Sequence, residues 1–455
     1  MTTPSYEELK AWDHMHVWHP FTQMQEWLSE DPVMIARGEG NYLIDIHGNS
    51  YLDGVSSLWC NVHGHTHKSL NSHISEQLDR IAHSTMLGLA NIPATTLAKK
   101  LVDLASDNLT RIFYSDAGST ATEIALKISY QYWQLKNSPQ KVKFVSLVGG
   151  YHGDTLGAVG VGYSELFHHY YQPLLPDTFR LSPPHIFRFY QGMTEGDALI
   201  AAKNEAQVLL SQHHREIAAL IIEPLMQGAA GMWTHPISYL QTLRDLTKQH
   251  DILLICDEVA TGFGRTGKMF ACSHADVQPD IMCVGKGLTG GYLPLAATFT
   301  SEDIFSAFLA PHNEFKTFFH GHTYTGNPLA CAAALANLEI FEEDQVLDQI
   351  APRIAQLKER LQTDFMGLVH VADIRQCGLM VGIELMRNTK QKTSYKPEER
   401  IGRKVATQAR KEGVMIRPLG DVIVLMPPLS ISSDEMTLLL DVTHQSIQTV
   451  TCQAS

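Results

Sequence analysis

Two short stretches decide how this chain folds: Ile252-Leu253-Leu254-Ile255-Cys256-Asp257-Glu258 and Ile281-Met282-Cys283-Val284-Gly285-Lys286-Gly287. Each is a brief apolar run closed by a polar residue or glycine, the pattern of a strand covered on both faces by helices. Lys143–Leu147 and Ala218–Ile222 repeat it. The first runs into Gly149-Gly150-Tyr151-His152-Gly153-Asp154, the second into Glu223-Pro224. Helical candidates such as Ile237–His250 lie between these runs. The alternation predicts an α/β domain with a mostly parallel sheet. Ligands of such sheets bind at the carboxyl ends of the strands, so Tyr151, Asp257 and Lys286 should converge on one edge.

Outward from these runs, Asn41–Ile46 reads as a strand followed by the turn His47-Gly48-Asn49. Beyond about Ile350, a helix, strands around Val369–Asp373 and Leu379–Leu385 and a last helix suggest a smaller α+β unit. The chain has 455 residues, enough for two or three domains, and 44% of them are hydrophobic. Its net charge of −13, with no basic block, argues against nucleic acid or an anionic membrane as partner. No apolar run reaches the roughly 18 residues that a membrane-spanning helix needs. Seven cysteines without a CxxC pair fit a reducing compartment, and Met1–Asp13 has no apolar core of a signal peptide. A cytoplasmic enzyme is expected.

The strand-end residues form a coherent set for pyridoxal 5'-phosphate. Lys286 would bond covalently to its aldehyde and shuttle a proton. Asp257 would pair with the ring nitrogen and keep it protonated, and Tyr151 would lie on the ring face. The phosphate needs backbone N–H groups at a helix start, which Asp116-Ala117-Gly118-Ser119 would supply ahead of Thr120–Tyr130. Each member alone has a plainer explanation: an exposed lysine, a helix cap at Asp257-Glu258, a helix start at Gly118-Ser119. Their joint order outweighs those explanations. A metal hydrolase built on His63, His65 and His67, or on His213-His214, lacks HExxH or Cys-rich spacing, and no metal site is expected.

The segment Asp257–Gly267, followed by Pro279-Asp280 and Gly285-Lys286-Gly287-Leu288-Thr289-Gly290-Gly291, resembles the signature of the class III pyridoxal-phosphate aminotransferases. The resemblance covers essentially the whole chain. It implies a fold-type I homodimer whose small domain comes from both chain ends: residues 1–60 and 331–455 around a large cofactor domain, 61–330. It also implies that Gly321-His322-Thr323 lies at the phosphate end, with Thr323 reaching the neighbouring subunit's cofactor.

Trp18-His19-Pro20-Phe21-Thr22, Ser56-Ser57-Leu58-Trp59, Tyr151–Thr155 and Arg417-Pro418-Leu419-Gly420 resemble the branch of that family that aminates 8-amino-7-oxononanoate in biotin biosynthesis. That substrate carries a carboxylate at the end of an apolar chain. Arg417 would clamp the carboxylate, Trp59 and Phe21 would wall the chain, Gly321 would border it, and Asp154 would orient substrate or the Tyr151 loop. The branch implies S-adenosylmethionine as amino donor. Users of that donor have Tyr where this chain has Phe21, and Trp-Trp where it has Leu58-Trp59. The Phe21 and Leu58 pattern, with Asp421 after the Arg417 loop, resembles enzymes that take L-lysine instead. Another ω-aminotransferase of the family and a non-catalytic protein on the same fold are the further alternatives, the latter opposed by an intact Lys286 and Asp257.

Overall fold

A computed structural model describes residues 4–453. Near the amino end, β1 (Ile35–Glu39), β2 (Tyr42–Asp45) and β3 (Ser50–Asp53) form an antiparallel meander. The middle of the chain supplies β4 (Leu109–Ser115), β5 (Lys143–Leu147), β6 (Thr178–Leu181), β7 (Ile217–Ile222), the hairpin β8 (Met226–Gln227) and β9 (Trp233–Thr234), β10 (Leu253–Asp257), β11 (Ile281–Val284) and β12 (Ala296–Ser301). Seven of these make one sheet in the order β4-β12-β11-β10-β7-β5-β6. β6, β5, β7, β10 and β11 run parallel, and β12 alone opposes its neighbours.

All six residues of β7, all five of β10 and all four of β11 are buried. This continuous apolar reading is what two-sided coverage requires. On one face the helix Gly118–Leu135 packs Ile124, Ala125 and Ile128 with Ile221, Ile255 and Cys283. The strand and helix boundaries read from the sequence hold within two or three residues for β5, β7, β10, β11 and the helix Ile237–Gln249. β4 and β12 escaped that reading. Leu-Thr-Arg-Ile-Phe-Tyr-Ser and Ala-Ala-Thr-Phe-Thr-Ser mix polar residues into buried strands, where Thr298 satisfies its hydroxyl on Ala121 O at 2.9 Å.

At the carboxyl end, β13 (Val371–Cys377), β14 (Met380–Leu385), β16 (Arg417–Leu419) and β17 (Val422–Leu425) form a second antiparallel sheet. The short β15 (Val414–Met415) instead joins β3 in parallel, so the two ends of the chain share a sheet. Leu52 N–H donates to Gly413 O at 2.8 Å, Gly54 N–H to Met415 O at 2.9 Å and Met426 N–H to Gly54 O at 2.9 Å. Ser56 Oγ adds a 2.7 Å bond to Met426 O.

The second sheet is fastened to the large unit by charge. Arg375, buried, donates through Nη2 to Glu384 at 2.8 Å, through Nη1 to Asp373 at 2.7 Å and through Nε to Gly231 O at 3.0 Å. Arg188 reaches the other Glu384 oxygen. Among the described residues no helix is long and apolar enough to cross a membrane.

Candidate active site

At the carboxyl ends of β5, β7, β10 and β11 the chain leaves the sheet through tight turns. These turns enclose a cavity of about 780 Å³, within the usual range for a small-molecule site. Of the expected site residues, Leu58, Trp59, Gly118, Ser119, Tyr151, Asp154, Asp257 and Lys286 all line it.

Lys286 follows β11 with φ +44°, a left-handed backbone conformation that costs a residue with a side chain on the order of 1–3 kcal/mol. The turn Lys286–Thr289 then closes on Gly290, itself left-handed. The result is a lysine aimed into the cavity, with Nζ 4.9 Å from the centre of the Trp59 ring. Burial pushes its pKa down, against the opposing pull of the carboxylates of Asp257 and Glu223.

Asp257 ends β10 and is buried. Its Oδ2 lies 2.6 Å from His152 Nδ1, and its Oδ1 accepts Val259 N–H at 3.0 Å. His152 Nε2 is buried with no hydrogen-bond partner, while Nδ1 is committed to Asp257. Asp257 therefore faces the cavity as an oriented carboxylate. Glu223, at the end of β7, is fully enclosed and accepts Tyr151 N–H at 3.0 Å and Gly228 N–H at 2.8 Å. Burial pushes its pKa up to about 7. Tyr151 O–H donates to Asp154 Oδ2 at 2.7 Å, and burial followed by this bond raises the phenol's pKa.

The helix Gly118–Leu135 points its amino end at the same space. Gly118 is obligatory there: a Cβ would overlap the side chain of Val259. Ser119 Oγ accepts Thr155 N–H at 3.1 Å and bonds Thr155 Oγ1 at 3.0 Å, which ties this turn to the Tyr151–Asp154 loop. An amino end for phosphate, an oriented carboxylate for a cationic ring nitrogen and a buried amine for an aldehyde match pyridoxal 5'-phosphate in chemistry and size.

Five expected residues lie away from this cavity. Phe21 is exposed and packs edge-on against Phe167 at 5.7 Å. Gly321 and Thr323 sit in an exposed loop, where Thr323 O meets His83 Nε2 at 2.9 Å. His322 Nδ1 is 2.8 Å from Asp116 Oδ2. Arg417 starts β16, exposed. His152 and Glu223, which follow strands β5 and β7, join the site through Asp257 and Tyr151 N–H. The signal available for Glu223 was a carboxylate directly following an unbroken apolar run. Among the histidines once weighed for metal, His63 is buried beside Phe341, and His65 contacts Asp53 at 3.1 Å.

This fold and site define a fold-type I transferase, and the chain belongs to the class-III aminotransferases, whose family model matches residues 24–447. Relatives called adenosylmethionine-8-amino-7-oxononanoate aminotransferase include that of Geobacter sulfurreducens, 47% identical over 98% of this chain and 99% of its own. The crystal structure of the Methanocaldococcus jannaschii enzyme of that name superposes with a TM-score of 0.93 at 45% identity, covering 98% and 99% of the two chains. An (S)-enantioselective omega-transaminase from Thermomicrobium roseum also superposes at 0.93, with 34% identity over 99% and 100%.

Proposed function

We propose that this protein transfers an amino group to 8-amino-7-oxononanoate in biotin biosynthesis, with S-adenosylmethionine as donor and pyridoxal 5'-phosphate as cofactor. The observation that carries the reading is a half-buried lysine, Lys286, and a buried oriented carboxylate, Asp257, lining one cavity with the amino end of the helix Gly118–Leu135. The names of relatives alike over nearly the full chain supply the substrates.

When bound, the cofactor supplies an aldehyde for amino groups and a ring that withdraws electrons from the adjacent carbon. Asp257, anchored by His152 and Val259, keeps lone pairs for the ring nitrogen. Gly118 and Ser119 would present N–H groups to the phosphate, and Tyr151 would cover the ring. Lys286, its pKa lowered by burial, takes the proton from the donor carbon on Nζ and returns it to the acceptor carbon. Leu58 and Trp59 form apolar wall and Asp154 orients Tyr151. Phe21 and Arg417 lie outside this cavity, and in this reading a shift of their segments toward it would let Phe21 extend the wall and Arg417 clamp the distal carboxylate.

We assign the exposed loop of Gly321, His322 and Thr323 to a homodimer, in which Thr323 would meet the phosphate held by the partner. Seven free thiols, four of them buried, suit a cytoplasmic enzyme.

A second reading keeps the reaction but takes L-lysine as donor. It is favoured by Leu58 in the cavity wall and by Phe21, which offers no hydroxyl to a polar donor. The test is single turnover. The cofactor-loaded protein is offered each donor separately while its visible absorbance is followed. Bleaching by S-adenosylmethionine supports the first reading, and bleaching by lysine alone supports the second. No bleaching by either sinks both.

A further inference from the structure

His168 is almost wholly buried, yet half of its hydrogen-bonding capacity is idle. It closes the short helix Glu165–His168, which follows the Tyr151–Asp154 loop and the helix Leu156–Val161. Ser164 N–H donates to His168 Nδ1 at 3.0 Å. An imidazole nitrogen that accepts carries no proton, so the proton of the neutral ring sits on Nε2. Burial, which lowers the pKa of this histidine, keeps the ring neutral.

Nε2–H has no partner within hydrogen-bonding distance. It faces Asp154, whose Oδ1 is 3.7 Å away, too far for a bond and too near for a water between them. The other oxygen of Asp154 accepts the Tyr151 hydroxyl at 2.7 Å. A buried N–H left unpaired is unfavourable, so the resting geometry carries an incentive to close. Closing to a normal length of about 2.9 Å needs Asp154 to move less than an ångström. Asp154 is half exposed on the cavity wall and free to make that move.

We propose that His168 is a positioning residue for this site: its Nε2–H bonds Asp154 Oδ1 once the cofactor fills the cavity, completing a chain His168–Asp154–Tyr151 that fixes the tyrosine ring over the cofactor. The neighbouring Phe167 carries the edge contact with Phe21, so the same turn also seats the amino-terminal segment. The inference rests on the cavity being the aminotransferase site proposed above.

Two substitutions separate this role from simple packing. In His168→Asn the side-chain oxygen can stand where Nδ1 stands and keep the Ser164 bond, but nothing reaches Asp154. In His168→Gln the amide nitrogen reaches the Nε2 position and can donate to Asp154. Pyridoxal 5'-phosphate affinity is measured by visible titration of the apoprotein, and KM and kcat for 8-amino-7-oxononanoate on the loaded enzyme. The expected result is weaker cofactor binding in H168N, by about threefold to tenfold, with KM raised in parallel. H168Q should stay within about twofold of the native protein on both. In a Tyr151→Phe background, H168N should have no further effect.

The inference is overturned if Asn serves as well as Gln, if Gln is the worse of the two, or if the His168 and Tyr151 effects multiply independently. If the native protein binds the cofactor but does not turn over 8-amino-7-oxononanoate, the substrate reading fails, while the cofactor titrations still decide the role of His168.

Discussion

Asp257 and His152, separated by 105 positions in the chain, meet at 2.6 Å with both side chains sealed from water. The histidine turns a strand-end carboxylate into one of fixed direction. Hydrogen bonds to a charged group contribute about 1.5–3 kcal/mol each. Replacing His152 by Phe should therefore weaken cofactor binding and single-turnover rate together, by roughly tenfold to a hundredfold. Asp257→Asn should lose more in rate than in affinity, because the amide still fills the space but cannot hold a cationic ring nitrogen.

Lys286→Ala should abolish both the visible absorbance of the loaded protein and its turnover. The apoprotein should not suffer in thermal stability, since the change removes a buried amine and relieves none of its neighbours' hydrogen bonds. Retained turnover without the visible band would refute the role given to Lys286.

Glu223 makes the apoprotein's stability depend on pH. Its folded pKa of about 7 lies above the unfolded value of 4.5, so the folded state binds the proton more tightly. Below pH 4.5 the carboxyl is neutral in both states and costs nothing. Between pH 4.5 and 7 stability falls as this group ionises, by roughly 3 kcal/mol in all. Urea unfolding of Glu223→Gln and native apoproteins should therefore shift in favour of the glutamine by that order as pH rises through this window. A difference that stays flat would show that Glu223 is ionised throughout.

Gly118→Ala places a methyl group in the Val259 side chain. Relief requires the start of the helix to move, and overpacking of this kind costs about 1–3 kcal/mol. Cofactor affinity should fall by at least tenfold, read by titration of the visible band. Val259→Ala in the same protein should restore part of it.

Arg375→Ala leaves Glu384 with Arg188 as its remaining cation and strips a bond from Gly231 O. Removing one member of a buried pair costs on the order of 3–5 kcal/mol, and the exposed Arg188 should hold the loss near the lower figure. Denaturant unfolding checks this. Arg188→Ala alone should cost under half as much.

The parts of this site legible in the sequence were those where chemistry and secondary structure coincide. Asp257, Lys286 and Tyr151 each follow a buried strand, and a strand end projects the next side chain onto the ligand edge of the sheet. The bond between His152 and Asp257 left no local trace, because it depends on β5 and β10 lying two strands apart. β12 was hidden for a different reason, its buried Thr298 being satisfied by the backbone of a helix far along the chain. Gly413–Ile416 ahead of Arg417 reads in the sequence as one strand. The chain instead breaks at Ile416 and Arg417 opens β16, paired with Val424.

The bonding of β3 to β15 has a consequence for the order in which the site comes into being. The loop carrying Leu58 and Trp59 hangs from Leu52, Gly54 and Ser56, and their partners are Gly413, Met415 and Met426. Those partners lie far along the chain, the last of them 370 positions beyond Ser56. A nascent chain halted before Gly413 already holds Lys286, Asp257 and the phosphate turn, yet its tryptophan wall has nothing to hang from. Capture of the cofactor in a finished pocket therefore waits until Met426 has been made, and a protein cut before Gly413 should fail first at its tryptophan wall.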